Sequence, residues 1–214
     1  MALSRHMLRT GLLLGLFAVA GTFLVAATHE GTRERIAANE RAYLLRTLHE
    51  LVPEELYDND LVADRVLVRD PLLGGREPVP VFRARKGGRP VAAVLTAVAP
   101  DGYGGAIRLL VGVRYDGTVL GVRILSHKET PGLGDAIDQG KSPWVEGFRG
   151  KRLGDPPARL WRVRKDGGVF DQFTGATISP RAVVKAVRRA LEYYAEHRGR
   201  LFAAPASQEE LRHG

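Results

Sequence analysis

Apolar residues recur along this chain with different periods, and each period predicts a different element. Gly11 to Thr28 reads GLLLGLFAVAGTFLVAAT and carries no charged side chain. That length is near the lower limit for a membrane-spanning helix, which needs about 17–25 residues. From Thr32 to Val52, Ile36, Tyr43, Leu44, Leu48, Leu51 and Val52 fall on or near one helical face. This predicts an amphipathic helix continuing from the first and stopping at Pro53. Leu61–Val68 is a short apolar run and a candidate strand. Val79–Arg85, Pro90–Val98, Ile107–Tyr115 and Thr118–Ser126 are four further runs, separated by turn signals. Lys86-Gly87-Gly88-Arg89 and Tyr115-Asp116-Gly117-Thr118 read as hairpin turns. Val111, Val113 and Tyr115 alternate with Gly112 and Arg114, and Val119, Val122, Ile124 and Leu125 supply facing apolar positions.

Leu160–Arg164 is a further predicted strand, and Lys165-Asp166-Gly167-Gly168 a further turn. The last helical pattern runs from Ala182 through Val183, Val184, Val187, Leu191 and Tyr194, and ends near His197-Arg198-Gly199. The whole pattern predicts an α+β protein: an N-terminal transmembrane helix, then one β-meander-rich domain with flanking helices. Its expected segments are 1–10, the span 11–28, an amphipathic linker 29–53, the folded domain 54–200 and a flexible tail 201–214.

Composition narrows the chemistry. There is no cysteine, which removes disulfides, Cys-ligated clusters and thiol nucleophiles. The 32 basic and 24 acidic side chains leave a formal charge of +8. The arginines are scattered singly, with no basic stripe, zinc finger or RNP-like aromatic run, so nucleic acid is not an expected partner. Anionic lipid, an acidic partner or a solvated basic surface all fit the excess.

The apolar run is longer than a usual signal-peptide core of about 7–15 residues, which favours a retained anchor. Val25-Ala26-Ala27 offers the small residues of the competing cleaved-signal reading. Arg5 and Arg9 precede the span, and Arg33, Arg35 and Arg41 follow it. Basic charge alone therefore nearly ties on orientation. A long folded domain translocates largely regardless of its charge, which puts the C-terminal domain outside.

Three segments carry the candidate chemistry. Asp101-Gly102-Tyr103-Gly104-Gly105 is a glycine-rich loop between two strands, suited to close approach by a flat or bulky group. His127-Lys128-Glu129-Thr130-Pro131-Gly132-Leu133-Gly134 is a polar turn at a strand end. Its Glu129 carboxylate can accept from a ligand N–H, and its Thr130 hydroxyl can donate. Thr174-Gly175-Ala176-Thr177-Ile178-Ser179-Pro180 leads into the last helix, with Ser179 read as N-cap and Pro180 as first helical residue. A hydroxyl just outside a helix N-terminus stands where backbone N–H groups and the dipole favour a phosphate.

Together, in this order and behind one anchor, GYGG, ETPGLG and TGATIS resemble the covalent-flavin FMN-binding domain family. Within it the chain is most similar to the G subunits of Rnf-type electron transport complexes, over roughly Leu8 to Arg198. The resemblance implies FMN attached through its phosphate to Thr177, with Thr174 and Ser179 as flanking hydroxyls. It implies Glu129, Thr130, Gly132 and Leu133 in the loop against the flavin, and Gly175 and Ala176 in the attachment motif. Lys165 and Lys185 are candidate contacts to flavin or phosphate, and Arg181 a candidate partner for the phosphodiester. The implied function is electron relay within an inner-membrane complex that couples ferredoxin/NAD-type electron transfer to ion translocation, with no catalytic residue of its own. Its implied partners are the other membrane and peripheral subunits, membrane lipid and a separate flavin transferase. The domain is expected in the periplasm, with the N-terminus cytoplasmic.

Two alternatives remain open at this point. One stays within flavoproteins, a C-type subunit of the sodium-translocating quinone reductase or an FMN-binding regulator; the other is a membrane-anchored binding or scaffold module without cofactor. A Ser or Thr hydrolase is poorly supported, because His127 lacks an acid partner and no nucleophile-elbow pattern occurs.

Overall fold

A computed structural model describes residues 2–75, 77–204 and 206. It divides into two units, Met1–Arg46 and Thr47–Gly214. The first unit is helical: helix α1 covers Ala2–Leu51 without interruption, so anchor and linker form one element. Its stretch Arg9–Arg33 is long and apolar enough to cross a membrane. Leu12, Leu16, Phe17, Val19 and Phe23 there are exposed apolar side chains.

The second unit is built on a five-stranded antiparallel meander in the order β1-β2-β3-β4-β5. The strands are β1 Arg65–Val68, β2 Val79–Lys86, β3 Arg89–Ala99, β4 Ile107–Arg114 and β5 Val119–Ser126. Val81 faces Leu95, Leu95 faces Val111 and Val111 faces Val122 across the ladder. Helix α2, Ile178–Ala203, follows a long segment of turns and short 3₁₀ helices.

Both faces of the sheet are covered. On one, Ala93, Leu95, Ala97, Leu109, Val111 and Val113 share a buried core with Val183, Val187, Ala190 and Leu191 of α2. The other carries Phe82, Val94 and Leu110, also buried. There Leu51 lies against the backbones of Gly112 and Gly121. Two buried faces explain why β3 reads VAAVLTAVA, a nearly continuous apolar run instead of an alternating one.

Three expectations need correction. Leu160–Arg164 is not a strand: it holds parts of two 3₁₀ turns and one isolated bridge from Val163 to Phe170. Pro156-Pro157 before it and Gly167-Gly168 after it leave too little chain for a ladder. The candidate strand Leu61–Val68 shortens to Arg65–Val68, because Asp60 caps a turn through the amides of Val62 and Ala63. Helix α2 does not stop at Gly199 but runs on to Ala203, so 201–203 are not tail. Residues 205 and 207–214 of the expected tail lie outside the described residues.

That last helical turn is held by Arg83, which is 2 % exposed. Its guanidinium donates to the carbonyls of Leu201 (2.8 Å) and Ala204 (2.5 Å) and forks onto Asp64. The carbonyls at a helix end have no partners within the helix, and a buried cation satisfies them. Leu201 and Phe202 are buried beside it. Removing this cation strands both carbonyls and leaves Asp64 with only Arg85 and the Asn59 amide as partners. Arg83→Ala is expected to cost about 3 kcal/mol. Urea unfolding of the detergent-solubilised chain, followed by tryptophan fluorescence, measures it; a loss under about 0.5 kcal/mol, a typical surface effect, contradicts the clamp.

Candidate functional site

In an antiparallel meander the end of β3, the start of β4 and the end of β5 lie at the same edge. The loop 101–106 and the segment after Ser126 therefore emerge side by side. The N-terminus of α2 meets them there, and a cleft of about 280 Å³ opens between the three. It is lined by Tyr103, Glu129, Thr130, Leu133, Gly134 and Gly175–Ser179.

Each wall has its own local cause. After Glu129 the chain turns on Pro131-Gly132, and the Thr130 carbonyl closes the turn by accepting from the amide of Leu133 at 3.1 Å. The turn Phe173–Ala176 closes in the same way, the Ala176 amide donating to the Phe173 carbonyl at 3.1 Å. Gly175 occupies its third position at φ +80°, a conformation that side chains with a Cβ disfavour. Trp144 props this turn from behind. Its ring meets Phe173 edge-on at 5.5 Å, and its indole N–H donates to the Asp171 carbonyl at 2.8 Å.

Glu129 ties the three walls together. Its side chain is buried, at 5 % exposure. One carboxylate oxygen accepts from the Gly104 amide at 3.0 Å, and the other from the Tyr103 amide at 3.3 Å. The second oxygen also takes a short hydrogen bond from the Ser179 hydroxyl. The Glu129 amide donates to His127 Nδ1 at 3.1 Å, which fixes the strand exit. Close approach makes Gly104 necessary, since a Cβ there stands 1.8 Å from the Lys128 carbonyl oxygen.

The helix entrance differs from the expectation. Ser179 is not the N-cap. Helix α2 begins at Ile178, and Thr177 takes the cap position with φ −89° and ψ −24°. Ser179 stands inside the first turn because its hydroxyl is taken by Glu129, and Pro180 is the third helical residue instead of the first. The Thr177 side chain makes no capping hydrogen bond at this helix start. Its first amides, lacking partners within the helix, are available to an acceptor beside Thr177. Thr177 is part-exposed at the cleft mouth. Tyr103, Leu133 and Ile178 are exposed apolar side chains around the same opening.

Among the described residues no group of His, Asp and Glu is arranged to hold a metal. A phosphate at an uncapped helix start with an apolar ring system beside it fits these donors and walls. Residues 102–192 match the family described as FMN-binding domain, and residues 1–51 match the RnfG N-terminal region. The chain is 54% identical over 203 residues to the G subunit of the ion-translocating oxidoreductase complex of Pseudomonas aeruginosa (strain UCBPP-PA14), covering 94% of this chain and 95% of that protein. The protein of the same name from Shewanella baltica (strain OS223) is 50% identical over 204 residues, covering 95% and 96%. That from Vibrio atlanticus (strain LGP32) is 49% identical over 197 residues, covering 92% and 94%. The chain belongs to this family of G subunits.

Most of the cleft of this G-type chain was legible by residue. Glu129, Thr130, Leu133, Gly175, Ala176 and Thr177 all line it. Gly132 sits in the supporting turn and Thr174 is exposed on the other, so these two shape the walls without lining them. Ile178 as a wall and Ser179 as the partner of Glu129 are not evident in the sequence pattern. The one local signal for Ile178 was an apolar residue set among hydroxyls ahead of the buried helical stripe.

Three candidate cations point elsewhere. Arg181 does not face the cleft: it forks onto Asp166 at 2.6 and 2.9 Å. That bond, with the charges of Arg181, Arg162 and Lys165, holds the Asp166 carboxyl below its ordinary range. Lys185 pairs with Asp101 at 2.5 Å, bracing the base of the glycine loop. Lys165 is exposed and lines neither wall.

Glu129→Gln keeps the volume but turns an N–H₂ towards donors. It is expected to cost about 1–3 kcal/mol, and Ser179→Ala about 1 kcal/mol. Urea unfolding reads both. Hydrogen exchange on Glu129→Gln should show faster exchange at the Tyr103 and Gly104 amides; unchanged protection there argues against the carboxylate as their anchor.

Proposed function

We propose that this chain is a membrane-anchored subunit of an electron transport complex of the ion-translocating oxidoreductase type. It carries FMN joined through its phosphate to the Thr177 hydroxyl. One observation carries the attachment: Thr177 stands at an uncapped helix start, at the mouth of a cleft with apolar walls. The relatives' shared name supports the complex, and the matched FMN-binding domain supports the cofactor.

The protein's part is binding and positioning. The Ile178 and Ser179 amides and the α2 dipole favour the single negative charge of a phosphodiester. Leu133 and Ile178 offer apolar contact to a planar ring, and Tyr103 an aromatic edge. Glu129 holds the glycine loop and the first turn of α2 together, and so would keep the walls in place around a bound ring. FMN supplies the redox chemistry, which no side chain here provides. The cleft opens to the surface, so a neighbouring subunit can bring its own redox group close. A phosphodiester tether keeps the cofactor from diffusing away.

A threonine hydroxyl is a weak nucleophile unaided, so attachment requires a separate flavin transferase. The anchor belongs in the bacterial inner membrane, with the folded domain on the periplasmic side and the N-terminus in the cytoplasm. Ion movement belongs to the complex as a whole.

The chain coexpressed with a flavin transferase should give a fluorescent band on a denaturing gel. Its intact mass should rise by FMN minus water, within a peptide spanning Phe173–Arg181. Thr177→Val should be dark while its urea midpoint stays near wild type. A fluorescent Thr177→Val band sinks the assignment.

A further inference from the structure

A second concavity, of about 680 Å³, lies along the outer face of α2, apart from the cleft at Thr177. Trp161 and Val184, both buried, form its floor. Arg162, Arg181, Lys185, Arg188 and Arg189 line it, with Asp166 and Glu192. Five cations against two carboxylates leave 5 − 2 = +3, more than a third of the chain's +8. Helical spacing concentrates them: Arg181, Lys185 and Arg188 stand at i, i+4 and i+7, so scattered arginines in the sequence become one stripe.

Four of these cations are also held in place. Arg188 bonds Glu192 at 2.9 Å, and Arg189 donates to the Pro71 carbonyl at 2.7 Å. Arg181 and Lys185 are tied to Asp166 and Asp101. Groups already fixed lose less side-chain entropy when a partner arrives. Arg162 is exposed and makes no side-chain hydrogen bond among the described residues. Nothing in the flavin site uses this charge.

We propose that this groove docks an acidic polypeptide segment of a neighbouring subunit, whose Asp and Glu side chains meet Arg162, Arg188 and Arg189. A flat anionic bilayer cannot enter a concavity walled by long side chains. A compact anion finds the Arg181 fork already closed by Asp166. An extended segment matches a charged stripe about 16 Å long, the rise from Arg181 to Glu192, over an apolar floor. The proposal rests on membership of a multisubunit complex and is independent of the flavin at Thr177.

The test uses the intact complex extracted in mild detergent at low ionic strength. Arg162→Glu/Arg188→Glu should retain at least tenfold less of this subunit than wild type. Arg162→Gln/Arg188→Gln should lose part of it, and added salt should release wild type. A carbodiimide, which couples amines to carboxylates, should join Lys185 to an acidic residue of another subunit. In-gel flavin fluorescence of the variants reports that they fold and are modified. Wild-type retention of the charge-reversed chain, with Lys185 coupled only to Asp101, overturns the proposal. So does normal retention in the complex with lost binding to phosphatidylglycerol vesicles, which assigns the groove to the membrane. Absent fluorescence in wild type as well counts against the Thr177 reading and leaves the docking result standing.

Discussion

A buried carboxylate costs free energy unless donors surround it. Glu129 meets that requirement with two backbone amides from the glycine loop and one hydroxyl from the first turn of α2. The donors come from two parts of the chain distant from Glu129, so satisfying the charge also fixes where all three segments stand. The cleft is the space left over when the three are drawn to one point. Its glycines follow from the same constraint, because backbone must approach backbone at Gly104.

Helix α2 is held to the sheet unit at both ends by ionised groups. Ser179 reaches Glu129 at the start, and the last carbonyls reach Arg83 at the finish. Between them lies the apolar stripe that covers one sheet face. The helix entrance stays without a side-chain cap because Thr177, at the cap position, makes no capping hydrogen bond, and the Ser179 hydroxyl in the first turn is engaged by Glu129. An uncapped start is a cost to the isolated helix and an advantage to a site for an anionic group. On the outer face of the same helix the basic residues that do not pack are left as a stripe with fixed geometry. One element thus serves core, cleft and groove through different faces.

Much of this is legible in the order of the residues alone. The four long strands and their hairpins are set within a residue or two by glycine-bearing turns and apolar runs. The Pro131-Gly132 turn and the Phe173–Ala176 turn, with Gly175 in its third position, carry their geometry in their residue types. The predicted strand at Leu160–Arg164 failed because β-pairing needs a partner strand, which an apolar run does not report. The helix end at Gly199 failed for a related reason. Glycine is a weak stop when Leu201 and Phe202 beyond it are buried and Arg83 receives the carbonyls.

The sequence by itself determined the N-terminal apolar helix, the long strands of the meander and the last helix, because period and turn chemistry are local. Only the tertiary structure decided which groups satisfy one another. Ser179 and Glu129 are 50 residues apart, and their bond moved the cap position to Thr177. Arg181 and Lys185 were drawn to carboxylates of distant loops and away from the cleft. A charge chooses its partner by proximity in space, and local pattern does not encode that proximity.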